Sequence, residues 1–467
     1  MLLGFFRIND PYRLLGLLVI LILIGVPSFI YAPEMLLSEV KSLALGEAIA
    51  DGKLMYIQVF DDTPPLASAL FGFMDILFGK SVLAYHIVAL LIIFYQASYF
   101  AILLINNKAY AENTYLPALI FGLLCFFSFD IVTFSPELLA SMVLLLAINR
   151  LFHEIEFKIQ QDDIVLKLGV YLGLSTFLVF SYWVFLLLSI FILIVLTRAG
   201  FRKIMLMIFG FLLPHAMLIT LYFFWGEVGL LWRNFYASNL TLSGEMPMST
   251  TSLLVLTSVP LTYFVFSVFM VNREARFTKY QSQLMQVMFL WLLFSVIQVF
   301  VARQVSPASL VTFIPPLTYF ISHYLLLIRR RWRAEIMLWL FLIGLLSTNY
   351  LTKANRIQSV NYSNLFPVQG EYDNAIKNRK VMMLTPGWSL YQQNSLGGIF
   401  FNWNLSKSVF ENLDSYQNVE TVASSFEIED PEIIVDEQNY MQQVMERIPS
   451  LNKKYRKEGK IYRKISS

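Results

Sequence analysis

The sequence predicts an all-α polytopic membrane bundle followed by a small extramembrane α/β domain, and three observations carry that prediction. Of the 467 residues, 57% are hydrophobic and only 14% charged, with a mean hydropathy of +0.61; a soluble protein averages roughly 25% charged residues. The apolar residues form runs of the length that crosses a bilayer, about 20 residues each. The charges are uneven: 40 of the 67 fall in residues 1–352 and 27 in the last 115. A soluble enzyme, a nucleic-acid binder and a disordered chain are excluded, and the composition breaks near Lys353. The chain is thus expected to have a membrane domain over 1–352 and a small domain over 353–467.

Eleven apolar stretches read as spans: 14–31, 81–105, 115–130, 136–152, 165–181, 183–198, 204–225, 252–271, 284–302, 309–328 and 335–351. Residues 165–198 would hold one long span or two short ones, and Gly173, Ser181 and Tyr182 favour two. The first span has too long an apolar core for a cleaved signal peptide, so an uncleaved anchor is expected. Lysine and arginine placement sets the orientation. With the N-terminus in the cytoplasm, 16 of the 21 basic residues before Lys353 fall on the cytoplasmic side. The tail domain then lies outside the cytoplasm, in the periplasm of an inner-membrane protein. The cluster Arg329–Arg333 reads as an orientation signal or as a binder of anionic headgroups. Cys125 sits alone in an apolar run, which excludes a disulfide framework.

The segment from Tyr31 to Lys80, about 50 residues, is the long loop of the chain, and loops of that length are usually functional. It carries Glu34, Glu39, Glu47, Asp51, Asp61, Asp62 and Asp75 against three lysines. Residues 35–50 have helical spacing, with Leu36, Val40, Leu43 and Leu45 able to face the membrane surface, and Gly52 ends the run. After Pro64-Pro65 a second amphipathic stretch runs from Leu66 to Phe78. Two interfacial helices joined by an acidic turn are expected.

The stretches Ser38-Glu39-Val40-Lys41, Gly46 to Lys53 and Phe60-Asp61-Asp62-Thr63-Pro64-Pro65-Leu66 resemble the first external loop of the GT-C glycosyltransferases. The resemblance is to the aminoarabinose transferase and protein O-mannosyltransferase branch, and Leu77-Phe78-Gly79-Lys80-Ser81 continues it. Thr133 to Ala140 sits where that family opens its fourth span with an Asp; Arg303 with Ser306-Pro307 and Phe313 to Leu317 resembles a late span. Pro431 to Val435 and Lys460 to Arg463 resemble the small periplasmic domain many members carry.

The resemblance implies transfer of a sugar from a polyprenyl-phosphate donor to an acceptor at the outer face of the membrane. Such a reaction needs a carboxylate to take the acceptor proton and a cation to stabilise the departing phosphate. Glu39 is the first candidate base, with a solvated place on an interfacial helix as its other reading. Asp61 and Asp62, on a turn before Pro64-Pro65, would orient acceptor hydroxyls, coordinate a divalent metal ion or cap the next helix. Glu137 after Pro136 would face a polar cavity or simply favour a helix start. Arg303, an arginine against the orientation bias, would bind phosphate or snorkel to the membrane edge. The four histidines have no metal-ligand spacing. Trp388, Tyr391, Trp403 and Tyr416 of the tail would stack on a sugar or pack a core.

A second reading is non-enzymatic, a structural or assembly subunit of the cell envelope. Ser38 stands where the family has its first acid, and Phe180-Ser181-Tyr182-Trp183 lacks the lysine of the family's central turn. A transporter is a weaker third reading, since no internal repeat is evident.

Overall fold

The computed structural model describes residues 2–30, 35–157, 162–241, 247–274, 277–354, 356–368, 370, 372–373 and 375–465. Glu34, Lys158 and Arg276, which entered the charge patterns above, lie outside them. The chain forms two compact units. One holds Met1–Pro33, Leu83–Met217 and Leu242–Asn364; the other holds Glu34–Val82, Leu218–Thr241 and Leu365–Ser467.

The first unit is helical. Among the described residues seven helices are long and apolar enough to cross a membrane: Val82–Asn106, Pro136–Glu156, Phe180–Thr197, Phe201–Phe224, Lys279–Val301, Pro307–Leu327 and Arg331–Lys353. They match seven of the eleven expected stretches. An eighth forms if Thr250–Leu256 and Ser258–Glu274, bent by 62°, make one span. Large apolar side chains such as Phe209, Phe269, Phe300 and Trp339 are exposed along these helices. That pattern suits hydrocarbon rather than water as the surrounding solvent.

The expected first span forms the 18-residue helix Arg13–Ile30, and two further expected spans are shorter, for local reasons. Residues 115–130 form only the nine-residue helix Leu116–Leu124, about 14 Å long. All nine residues are buried, so the apolar run belongs to the core of the bundle. The helix stops before Ser128 and Asp130, and Asn349 Nδ2 donates to the carbonyl of Phe126 at 2.8 Å, satisfying backbone left open at its end. Residues 165–198 form two helices, Asp162–Thr176 and Phe180–Thr197, parted by a turn at Phe177 to Val179. Gly169, Gly173 and Gly210 let Asp162–Thr176 press against Phe201–Phe224; a Cβ on Gly169 would stand 2.2 Å from the Met207 carbonyl oxygen.

The second unit has a five-stranded mixed sheet: β1 (Lys380–Met383), β2 (Ser395–Leu396), β3 (Ile433–Val435), β4 (Tyr455–Glu458) and β5 (Ile461–Lys464). The order is β2-β1-β3-β5-β4, with β1 parallel to β2 and β3, and the β3-β5 and β5-β4 pairs antiparallel. Helices Trp403–Glu411, Tyr416–Ile428 and Tyr440–Arg447 bury Val409, Phe410, Val422, Phe426, Met441 and Val444 in the core with Ile434 of β3.

The expected loop helices form at Leu37–Ala50 and Pro65–Phe78, and Gly52 ends the first at φ +88°. Their environments differ from an interfacial pair. Leu36, Val40, Leu43 and Leu45 are buried within the unit, because Gly46 lies so close to the second helix that a Cβ would stand 2.7 Å from the Phe71 carbonyl oxygen. The second helix does carry an exposed apolar face, at Phe73, Ile76, Leu77 and Phe78. The turn between the helices is knitted to the tail residues. Phe60 N–H donates to Ile399 O at 2.8 Å, Asn402 N–H donates to Phe60 O at 2.9 Å, and the Phe60 ring enters the tail core edge-on to Phe400.

Candidate functional site

The second unit assembles a charged site on the turn after Phe60. Asp61 is fully buried, Asp62 keeps 13% of its side chain exposed and Lys41 keeps 24%. The Lys41 ammonium lies 3.0 Å from Asp61 Oδ1 and 3.2 Å from Asp62 Oδ1. Asn402 Nδ2 donates to the same two oxygens, at 2.9 and 3.1 Å. The other oxygen of Asp61 accepts from the backbone N–H of Thr63 at 3.2 Å and from its hydroxyl. Adjacent carboxylates repel, and a shared ammonium and a shared amide are what permit them to sit together away from water.

Backbone contacts fix the turn that presents them. Tyr56 has a left-handed backbone, φ +65°, which a bulky residue adopts only when its surroundings enforce it. Its hydroxyl donates to Thr63 O at 2.7 Å, and its carbonyl accepts from Asn234 Nδ2 at 2.9 Å. Tyr222 donates to Met55 O at 2.7 Å and Asn239 Nδ2 to Asp62 O at 2.8 Å. Each end of the turn is therefore held by residues from 218–241.

Burial alone would lower the basicity of Lys41, yet the Asp61 and Asp62 charges outweigh it and hold its ammonium above the ordinary lysine range. Burial raises the Asp61 carboxyl, with Lys41 opposing that shift. The Lys41 ammonium also stands over the ring of Trp388, 5.6 Å from its centroid. Trp388 follows the exposed Pro386 and Gly387 and is half-buried; the Phe401 ring meets it edge-on at 4.6 Å.

Glu39 lies two residues before Lys41 on the same helix, so the two side chains leave it in nearly opposite directions. Its carboxylate turns back to the helix start and accepts from Leu36 N–H at 2.8 Å, a capping role, and the residue is buried. Glu137 and Arg303 belong to the first unit. Glu137 opens Pro136–Phe157, beside Asp130, and Arg303 is half-buried between Lys279–Val301 and the turn that begins at Pro307. Asp130 accepts from Ser128 Oγ at 2.6 Å and from Ala308 N–H at 3.0 Å, and burial pushes its carboxyl up to about 6.

The structure thus brings Asp61 and Asp62 together, and it joins to them three residues that sequence reasoning left aside. Lys41 had a signal, since seven acids and three lysines in one loop invite pairing. Asn402 and Asn239 had none, because their partners are remote in the chain. Among the described residues no three His, Cys, Asp or Glu side chains converge as a metal site. The Asp61-Asp62 pair is filled by ammonium and amide hydrogens, a set that does not fit a divalent cation.

The fold is that of solved membrane proteins. ArnT from Cupriavidus metallidurans, in a crystal structure bound to undecaprenyl phosphate, matches over 91% of this chain and 94% of its own, with a TM-score of 0.56 and 10% identity. The same protein in the apo state matches over the same shares with a TM-score of 0.52 and 12% identity. The chain therefore carries the GT-C fold and is an integral, multi-pass membrane protein. No curated protein matches the sequence. A family profile matches residues 65–358, well over half of the chain, and on that ground the protein belongs to DUF6427, a family of unknown function.

Proposed function

We propose that this protein is a membrane glycosyltransferase that moves a sugar from a polyprenyl-phosphate donor to an acceptor at the outer face of the inner membrane. The observation that carries the reading is the match of nearly the whole chain, at both ends of the comparison, to a structure solved with undecaprenyl phosphate. The charge bias of the short loops supports a cytoplasmic N-terminus and a periplasmic second unit.

Within this reading Asp62 is the carboxylate that takes the acceptor proton, because it is the more accessible of the pair. Asp61 positions it, through the ammonium and amide they share. Glu39 fixes the start of the helix that carries Lys41 and acts through that placement. Arg303 holds the donor phosphate through its planar fork, and Glu137, at the first turn of its helix, shapes the polar end of the first unit.

The test is transfer from a radiolabelled polyprenyl-phosphate sugar by the full chain in proteoliposomes. Asp62→Asn and Arg303→Ala are expected to lower the rate at least about a hundredfold, the scale of a lost acid-base group for the first and of a lost charge-stabilising donor for the second. Glu39→Gln keeps one acceptor oxygen for Leu36 and is expected to lower it only severalfold. Transfer that is unchanged in Asp62→Asn and Arg303→Ala overturns the site; wild-type protein that transfers from no polyprenyl-phosphate sugar overturns the function.

A further inference from the structure

We infer that the outer edge of strand β4 is a docking site for an acidic, extended peptide of a partner protein, which joins the sheet as a further strand. Such a site is independent of the transferase reading above. Two features meet there: an unpaired sheet edge and a concentration of charge of one sign.

β4 stands last in the sheet order and pairs with β5 alone, so among the described residues no strand meets its outer edge. Backbone donors and acceptors along such an edge are a template for another chain. Residues 453–464 hold seven lysines and arginines against the single acid Glu458, and all eight are exposed. Residues 365–452 are the reverse, with twelve acids against five bases. Asp430 pairs with Lys454 and Lys464, at 3.1 and 3.2 Å, and Glu458 pairs with Arg463 at 3.0 Å. Among the described residues Lys453, Arg456, Lys457 and Lys460 have no carboxylate partner. Arg456 stands directly opposite Arg463. Cross-strand partners leave the same face of a sheet, and like charges so placed are destabilising. Charges on an edge strand also discourage edge-to-edge aggregation. Charges of either sign do that, and none of them need face a like charge. An acid on an added strand, beside Arg456, relieves the pair and is held by the planar guanidinium fork.

Charge and placement select the occupant. A second copy docking β4 against β4 brings two basic edges together, which repels. Attachment to a bilayer surface combines charge with apolar insertion. In the hairpin Tyr455, Ile461 and Tyr462 are buried, and only Ile465, just past β5, exposes a large apolar side chain. The exposed apolar face of this unit lies elsewhere, on helix Pro65–Phe78. Lys80, just after that helix, donates to Asn394 O at 3.1 Å, next to β2 at the opposite edge of the sheet. Four strand spacings, about 19 Å, part that edge from β4. An acidic peptide uses both backbone pairing and charge, whereas a polyanion without amides uses the charge alone.

The experiment measures binding to the full-length protein in phosphatidylcholine nanodiscs. The probe is a short fluorescent peptide of alternating glutamate and threonine, followed by anisotropy. The same peptide with every second amide N-methylated, a lysine-threonine peptide and competing phosphatidylglycerol vesicles form the other arms. The acidic peptide is expected to bind, and less tightly as salt rises. The N-methylated and lysine peptides are expected to bind at least about tenfold more weakly. Arg456→Glu alters an exposed side chain, so it is expected to melt as wild type does and to weaken binding about tenfold, the scale of a lost charge-assisted bond. Arg456→Lys keeps the charge and is expected to retain most of the affinity. Should Arg456→Glu not fold, Lys460→Glu at the hairpin turn serves in its place, with a severalfold loss expected. No binding up to about 1 mM peptide, or equal binding by wild type and the glutamate variant, overturns the proposal. Equal binding of the N-methylated peptide, or displacement by the vesicles, overturns it as well, since charge alone or a lipid surface then accounts for the site.

Discussion

Replacing Lys41 by Met removes the one ammonium shared by two carboxylates, of which Asp61 is fully buried. Breaking a buried ion pair from one side costs about 3–5 kcal/mol, because the remaining charge has lost its partner. Lys41 is 24% exposed, and Asn402 and Thr63 still serve Asp61 in the variant, so a loss of about 2–3 kcal/mol is expected here. In a unit of this size about 1 kcal/mol moves a melting midpoint by about 2–4 °C, which gives a drop of roughly 5–10 °C. The assay is a thermal melt of the full chain in nanodiscs, followed by tryptophan fluorescence, since Trp388 sits against the ammonium. The double variant Lys41→Met/Asp61→Asn removes the orphaned charge and is expected to recover about half of the loss. A pH series adds a second check. The folded-state basicity of Lys41 is raised, so its contribution is complete below the ordinary lysine value of about 10.4 and is lost only as pH climbs through the higher folded value. The gap between wild type and variant should therefore be constant from neutral pH to about 10 and close above it. A drop under about 2 °C, or a double variant no better than Lys41→Met, would refute the reasoning.

Other outcomes follow from single contacts. Asp130→Asn should flatten the pH dependence of the first unit. The wild-type carboxyl sits at about 6, above its ordinary value, so the stability it contributes is complete near pH 4 and is lost as pH rises through 6; melts between pH 4 and 7 check this. Gly169→Ala would place a Cβ 2.2 Å from the Met207 carbonyl oxygen and is expected to cost about 1–3 kcal/mol, read as a lower melting point of the helical unit. Glu429 joins Lys53 to Lys380, the latter at 2.6 Å, and burial is outweighed by those lysines so that its carboxyl is lowered. Its contribution is present above about pH 4.5 and lost as pH falls further, so Glu429→Gln should destabilise at neutral pH by about 1 kcal/mol and converge with wild type in acid.

What the sequence makes legible follows from where the decisive interactions lie. The apolar runs and charge asymmetry are local, and they revealed the membrane class, seven long helices and a tail with a small sheet. Gly52 and Pro65 marked the ends of the loop helices because backbone conformation is written into single residues. The run 115–130 misled because an apolar segment buried in protein has the same composition as one in lipid; only the turn at Ser128 and Asp130 hinted at the difference. The Asp61-Asp62 pair was visible, but its setting was not. Leu36, Val40, Leu43 and Leu45 looked like a membrane-facing stripe and instead pack inside the second unit. Asn402 reaches Asp61 across 341 positions of chain, a contact that no periodicity records.

That separation has a consequence for how the protein is made. The turn at Phe60 to Asp62 leaves the ribosome some 340 residues before Ile399 and Asn402, the groups that complete its backbone and carboxylate bonds. At about 5–20 residues per second, the delay is roughly 20–70 s. Throughout it an aromatic ring and two adjacent acids await partners not yet synthesised, while the intervening helices are inserted. A nascent chain stalled before residue 399 would present an unfinished turn to proteases, and a truncated product would be cleared rather than accumulate as a membrane domain lacking its tail.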